Sequence, residues 1–116
     1  MALERVIFAF ATDDKSLTAF ASESEAIAYC EGADVHSGLW QFFGPAGEPL
    51  LPRFLEQVAR WGPFIGQGRY QLHQGHGASL LELLPSVSSV EGPEGLQSFV
   101  DVARYLRGGS RGSALR

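Results

Sequence analysis

The residues best suited to chemistry in this chain are its three histidines and its single cysteine. His73 and His76 stand three positions apart, and imidazole is a common ligand of zinc and other transition metals. On a strand, residues three apart point to opposite faces, so these two rings converge only if the chain bends at Gly75. Cys30 and His36 are distant in sequence, and no Cys-x-x-Cys, His-x-His or His-Glu-x-x-His motif is present. We therefore expect no metal site.

The glycine-rich run of residues 66–77 has the composition of a phosphate-binding loop. Gly66 and Gly68 are followed by Gln71, where the dinucleotide-binding fingerprint needs glycine, and the run leads into a predicted strand. A P-loop needs Gly-Lys-Ser or Gly-Lys-Thr, but the only lysine is Lys15. A Gly-x-Ser-x-Gly nucleophile elbow is also missing. We therefore expect no cofactor and no catalytic residue, so that the chain is not an enzyme.

Cys30 lies near the end of a predicted helix. Ser22 and Glu25 have the spacing of a capping box, in which each side chain accepts from the backbone N–H of the other residue. Gly32 is placed to end this helix in a left-handed conformation. Because no basic or histidine neighbour is evident to lower its pKa, Cys30 is predicted to be a buried core residue rather than a nucleophile.

The strands that must position these residues predict an antiparallel sheet. Residues 4–12 are β-branched and aromatic without a breaker, which indicates a central strand covered on both faces. Residues 16–20 follow a tight polar turn and are its hairpin partner. A third strand at residues 39–43 precedes a reversal at residues 44–49. Residues 69–74 alternate in polarity, which is typical of a half-exposed strand.

Three helices are predicted in the second half of the chain. Residues 52–61 can form a short helix with Pro52 in its first turn. Ser79 begins an apolar helical stretch that Pro85 either kinks or restarts. The last helix is predicted to begin at residues 92–94, and its inward stripe consists of Leu96, Phe99, Val100, Ala103 and Leu106.

These elements predict one α+β domain over residues 1–108 and a flexible tail at residues 109–116. The expected architecture is a single-layer antiparallel sheet of four or five strands, with two to four helices packed mainly on one face. At 116 residues and 45% hydrophobic content, the chain can bury a core without metal or disulfide staples.

Composition also limits where the protein acts. A single cysteine excludes an internal disulfide, which favours a reducing compartment. The N-terminus lacks the features of a signal peptide, and no apolar stretch approaches the roughly 20 residues of a membrane-spanning helix. We expect a cytoplasmic protein that does not bind membranes.

The charged residues are distributed unevenly. All 13 acidic residues lie between Glu4 and Asp101. The basic residues that follow them are Arg104, Arg107, Arg111 and Arg116. An acidic body of this kind repels nucleic acid and suits a basic protein partner.

Three segments carry a resemblance to a known group of proteins. They are SLTAFASESEAIAYCEGADVHSGLWQFFGPAGEPL, GRYQL, and LLELLPSVSSVEG leading into a final helix. Over most of residues 4–107 this pattern resembles the small bacterial immunity proteins that accompany polymorphic or secretion-delivered toxins. The resemblance implies a non-catalytic inhibitor that binds a cognate antibacterial toxin domain and blocks its active site. We expect it to be a monomer or a weak dimer.

The partner-binding residues are predicted around the stretch 29–50. Trp40, if exposed, is suited to anchor an interface, and nearby carboxylates would form an acidic rim that meets a basic groove on the toxin. The residues predicted for this surface are Asp14, Glu31, Asp34, His36, Trp40 and Glu48.

Two alternatives differ in class. The first is a small-molecule-binding or small enzymatic domain, with a pocket between the sheet and the Gly66–Gly77 loop. Tyr70, His73 and His76 would line that pocket. The second is a structural subunit of a larger assembly, which predicts an oligomer.

Overall fold

The computed structural model describes residues 5–54 and 70–109, the last two by their backbone only. These residues form one six-stranded sheet with four α-helices. The strands are β1 (Ile7–Ala11), β2 (Ser16–Phe20), β3 (Trp40–Phe43), β4 (Pro49–Phe54), β5 (Tyr70–Gln74) and β6 (Ser89–Glu91). The helices are α1 (Glu23–Tyr29), α2 (Gly32–His36), α3 (Leu80–Leu83) and α4 (Phe99–Arg104). A 3-10 turn (Leu84–Ser86) follows α3, and a π-helical turn (Tyr105–Gly109) follows α4.

The strand order is β5-β4-β3-β1-β2-β6. All neighbouring strands are antiparallel except β2 and β6, which are parallel. The predicted α+β class is confirmed, but the sheet is larger than the predicted four or five strands and is mixed rather than antiparallel. The strands β4 and β6 were not predicted, and β6 has only three residues, two of them exposed. Such a short segment carries almost no periodic signal in the sequence.

The central strand β1 is buried on both faces, as predicted. Phe8 and Phe10 belong to one core cluster with residues of α3 and α4, whereas Ile7 and Ala9 belong to a second cluster with residues of α1 and α2. Successive side chains of a strand point to opposite faces, so the helices cover both faces of the sheet. The prediction that they pack mainly on one face was therefore wrong.

Helix α1 begins as predicted but ends differently. The Ser22 hydroxyl accepts a hydrogen bond from the Glu25 N–H at 3.3 Å. The helix stops at Tyr29, and Gly32 begins α2 instead of ending α1. The left-handed glycine of this region is Gly38, with φ of +90°, which lies after α2.

The prediction of a helix over residues 52–61 is wrong for residues 52–54. Pro52 and Phe54 belong to β4, where they pair with Leu72 and Tyr70 of β5. Strand pairing with β3 and β5 overrides the local preference of proline for a helical first turn. Residues 55–61 lie outside the described part of the chain.

The C-terminal helix begins later than predicted. Its N-cap is Ser98, and Gly95 adopts a left-handed φ of +91° in the turn before it. Phe99 and Val100 are 45% and 58% exposed, so their predicted inward orientation was wrong. The inward residues of this segment are Leu96, Val102, Ala103 and Leu106. Pro85 restarts the chain after α3 as the 3-10 turn. Over residues 5–54 and 70–109, no helix has the length and apolar character needed to span a bilayer.

Candidate functional site

Two aromatic side chains meet at the surface on the face of the sheet that carries α1. Trp40 begins β3 and Tyr29 ends α1, with ring centroids 6.1 Å apart in an edge-to-face arrangement. Tyr29 also contacts the Phe20 ring at 5.4 Å, although it remains 61% exposed. Tryptophan and tyrosine are among the residue types that most often anchor protein interfaces.

The backbone around Trp40 is fixed by hydrogen bonds to the end of β1. The N–H and hydroxyl of Thr12 both donate to the carbonyl of Leu39, at 2.8 and 3.1 Å. Trp40 itself pairs with Ala11 in the sheet. These contacts hold the indole at a defined position between the end of β1 and the C-terminus of α1.

A cleft of about 380 Å³ lies beside the aromatic pair. Its polar lining residues are Asp13, Asp14, Ser16, Thr18, Ser89 and Glu91. The parallel register pairs Ser16 with Ser89 and Thr18 with Glu91, which brings these side chains to one face of the sheet. Tyr29 and Trp40 are its aromatic lining residues. The cleft therefore combines carboxylates, hydroxyls and aromatic rings.

The acidic edge of this cleft is held by the β1–β2 turn. Asp14 Oδ1 accepts from the Ser16 N–H at 3.0 Å, and the hydroxyl of Ser88 donates to the Asp14 carbonyl at 2.8 Å. Hydrogen bonds from the Ser16 hydroxyl and N–H lower the pKa of the Asp14 carboxyl. The Ser88 N–H also donates to the Lys15 carbonyl at 2.8 Å, which fixes the start of β6 against the turn.

Of the six residues predicted for partner binding, the structure brings Asp14 and Trp40 together at the cleft. Glu31 precedes α2, and Asp34 and His36 lie on it, all exposed. The His36 ring contacts Phe54 of β4 at 5.8 Å, whereas Trp40 contacts α1.

Glu48 is separated from the other predicted residues. It follows β3 in the turn to β4, at the end of β3 opposite to Trp40. Its carboxylate accepts the Ala46 N–H at 2.9 Å. A Cβ atom on Gly44 would overlap that carboxylate, so a larger residue there would displace the Glu48 side chain. The geometry therefore gives Glu48 a structural contact within its turn.

Tyr29 and Glu91 are among the cleft residues that were not predicted from the sequence. Tyr29 is an aromatic residue beside the apolar face that contains Ala26 and Cys30, and an aromatic off the buried stripe of a helix is a usable signal of surface function. Glu91 could not be placed because β6 was not recognised as a strand.

Cys30 and Tyr70 form a buried polar contact below α2. The Tyr70 hydroxyl donates to the Cys30 carbonyl at 2.6 Å, and both residues are buried. Burial raises the pKa of the Cys30 thiol to about 12, with a further contribution from Asp34. Burial likewise raises the pKa of Tyr70. The predicted core position of Cys30 is confirmed.

A second, smaller pocket of about 250 Å³ lies between β3, β4 and residues 76–78. Among the described residues, its lining is mostly apolar and includes the exposed Leu51, and the ionisable residue is His76. Tyr70 and His73, which were predicted for a pocket near this loop, do not line it. Residues 66–69 of the loop lie outside the described residues.

Among the residues that the structure describes, no group of three or more His, Cys, Asp or Glu side chains could hold a metal ion. Comparison of the chain with protein-family models, curated proteins and solved structures gives no match in any of the three.

Proposed function

We propose that this protein is a non-catalytic inhibitor of the immunity type, which binds a cognate antibacterial toxin domain and blocks its active site. The observation that supports this most is the pair formed by the exposed Tyr29 and the half-buried Trp40, which lies next to the carboxylates of Asp13, Asp14 and Glu91. Aromatic anchors surrounded by charged groups are typical of a protein-binding surface.

The charge of the surface indicates the chemistry of the partner. Glu31 and Asp34 lie exposed close to the segment that leads into Trp40, so they extend the acidic character beyond the cleft. A toxin with a basic substrate-binding groove is complementary to such a surface. Complementary potentials accelerate association and suppress binding to other acidic proteins.

Small-molecule binding is the competing proposal. Within the described part of the chain, the pocket at His76 offers one ionisable side chain and a mostly apolar lining. Acid–base chemistry or binding of a charged ligand generally needs several convergent polar groups. The cleft beside Trp40 has such groups, but the exposed ring of Tyr29 next to Trp40 favours a protein partner.

A protection assay tests the proposed function. The C-terminal domain of a secreted effector encoded beside this protein is expressed in a sensitive bacterium, with and without the protein. We expect growth to be restored by the wild-type protein. The double variant Tyr29→Ala/Glu91→Lys should protect at least about tenfold less well, since hot-spot aromatics and reversed charges each weaken binding strongly.

The matched control is the double variant Phe99→Ala/Glu94→Lys. It also removes one exposed aromatic ring and reverses one exposed carboxylate, but neither residue lines the cleft. It should protect as well as the wild type. Equal loss of protection in both double variants, or no protection by the wild-type protein, would contradict the proposal.

A further inference from the structure

The strip of β2 and β6 beside Trp40 is a part of the sheet face that remains accessible. Ser16 and Thr18 of β2 are half-buried, whereas Ser89 and Glu91 of β6 are exposed. All four line the cleft. Its volume of about 380 Å³ lies near the lower end of the range of roughly 300–1,000 Å³ that is usual for small-molecule sites.

The charges that line this strip have one sign. Asp13, Asp14 and Glu91 are the carboxylates of the lining, and no lysine or arginine of residues 5–54 and 70–107 is part of it. Lys15 follows Asp14 in the turn but does not line the cleft. The Glu91 carboxylate makes no hydrogen bond or ion pair with another residue in the described ranges, so it is available to a partner.

The aromatic wall of the cleft, formed by Tyr29 and Trp40, indicates which kind of cation would bind beside these carboxylates. The Trp40 and Tyr29 rings meet edge to face, and both line the cleft. A guanidinium is planar, stacks on aromatic faces and is less strongly hydrated than an ammonium. Its five N–H donors also suit a site in which carboxylates and hydroxyl oxygens accept from several directions.

We infer that this cleft binds an arginine side chain of the basic partner, with its guanidinium packed against the aromatic wall of Tyr29 and Trp40 and paired with Glu91. This inference rests on the proposed function only in taking the arginine from a toxin. The binding of a guanidinium depends on the residues of the cleft alone.

The test is an NMR titration of the isotope-labelled protein with acetyl-glycyl-arginyl-glycine amide. The expected result is saturable binding with a dissociation constant on the order of millimolar, with shifts at the Trp40 indole N–H and the amides of Thr18 and Glu91. The matched peptide contains citrulline in place of arginine, which keeps the shape and removes the charge. It should cause shifts several-fold smaller.

A pair of variants locates the site. Glu91→Gln should weaken binding of the arginine peptide about threefold or more, whereas Glu94→Gln, an exposed residue outside the cleft, should leave it unchanged. Equal shifts with the citrulline peptide, or equal binding by both variants, would overturn the inference. If the peptide fails but the effector domain is still inhibited, the arginine site is wrong and the proposed function stands. If the peptide binds but no effector is inhibited, the arginine site stands and the proposed function is wrong.

Discussion

At the residue scale, Tyr70 joins β5 to the end of α1 through the hydrogen bond from its hydroxyl to the Cys30 carbonyl. Tyr70→Phe keeps the ring contacts with Phe42 and Phe54 and removes only this bond. The buried carbonyl then loses its hydroxyl donor, so we expect the free energy of unfolding to fall by about 1–3 kcal/mol. Urea denaturation measures this change.

The control for Tyr70→Phe is Tyr29→Phe. Tyr29 is 61% exposed, so loss of its hydroxyl should change the free energy of unfolding by less than about 0.5 kcal/mol. Equal effects in the two variants would show that the buried hydrogen bond contributes nothing specific.

The Cys30 thiol gives the protein a predictable response to alkaline pH. Its pKa is raised to about 12 in the folded state, while an unfolded thiol ionises near about 8.5. The unfolded state therefore loses this proton first, and stability should fall above about pH 8.5 by up to roughly 1.4 kcal/mol per pH unit. Below that pH the thiol is protonated in both states and has no effect.

Substitution of Cys30 by alanine separates this effect from other alkaline changes. The variant is less stable overall because it loses buried sulfur, but its stability between about pH 8.5 and 10 should decline less steeply than that of the wild type. Urea denaturation at several pH values makes the comparison. Identical slopes would contradict a protonated thiol in the folded state.

At the element scale, Glu23 connects helix α1 to the edge strand β5. Its carboxylate accepts the Leu72 N–H at 3.1 Å and pairs with the Arg5 guanidinium at 3.2 Å. An edge strand exposes backbone groups that otherwise pair with other chains, and a side-chain acceptor occupies one of them here. We expect Glu23→Gln to increase the hydrogen-exchange rate of the Leu72 amide by about three- to tenfold.

Glu25→Gln is the matched control for Glu23→Gln. Both residues lie in the first turn of α1, so both substitutions remove the same interaction with the positive end of the helix. Exchange at Leu72 should change only in Glu23→Gln. A similar change in both variants would assign the effect to the helix dipole instead.

The N-caps of α4 and α3 provide a second comparison between elements. The Ser98 hydroxyl accepts from the Asp101 N–H at 3.1 Å, whereas Ser79, the N-cap of α3, makes no side-chain cap hydrogen bond. Ser98→Ala should reduce the free energy of unfolding by about 1 kcal/mol, and Ser79→Ala should reduce it by much less. Thermal denaturation of both variants measures the difference, and equal losses would contradict the assigned caps.

The elements that the sequence predicted well are those whose signal is local. Strands β1 and β2 and the start of α1 follow from an unbroken apolar run, a polar turn and a serine cap. Pro52 shows where local signals fail, because its pairing partners in β5 are distant in the sequence. Strand β6 was not predicted for the same reason, because its parallel pairing with β2 joins residues more than 70 positions apart.

The site was predicted only in part for a related reason. The sequence alone predicts the acidic character of the surface and Trp40 as its aromatic anchor. It also includes Asp14 in this surface, but it defines no contact between the two residues. The sheet order decides which carboxylates surround the indole, and it selects Glu91 and Asp13 while placing Glu48 elsewhere. Sequence proximity to Trp40 was therefore a poor measure of spatial proximity.

At the scale of the whole molecule, the net charge of −4 conceals a more acidic body, since several of the basic residues lie after Asp101. Charge of this sign should steer a basic partner towards the protein, and salt should weaken that steering. We expect association with a basic toxin domain to slow by about tenfold or more as salt rises from about 0.02 to 0.3 M.

The most direct measurement of partner binding at the Tyr29–Trp40 cleft is stopped-flow association with the purified effector domain. Association rates are measured for three proteins: the wild type, the cleft variant Asp14→Lys/Glu91→Lys and the control variant Glu25→Lys/Glu94→Lys. Because both variants change the net charge equally, we predict that the cleft variant associates at least about tenfold more slowly than the control. No complex with the wild-type protein, or equal association rates for the two variants, would contradict binding through this cleft.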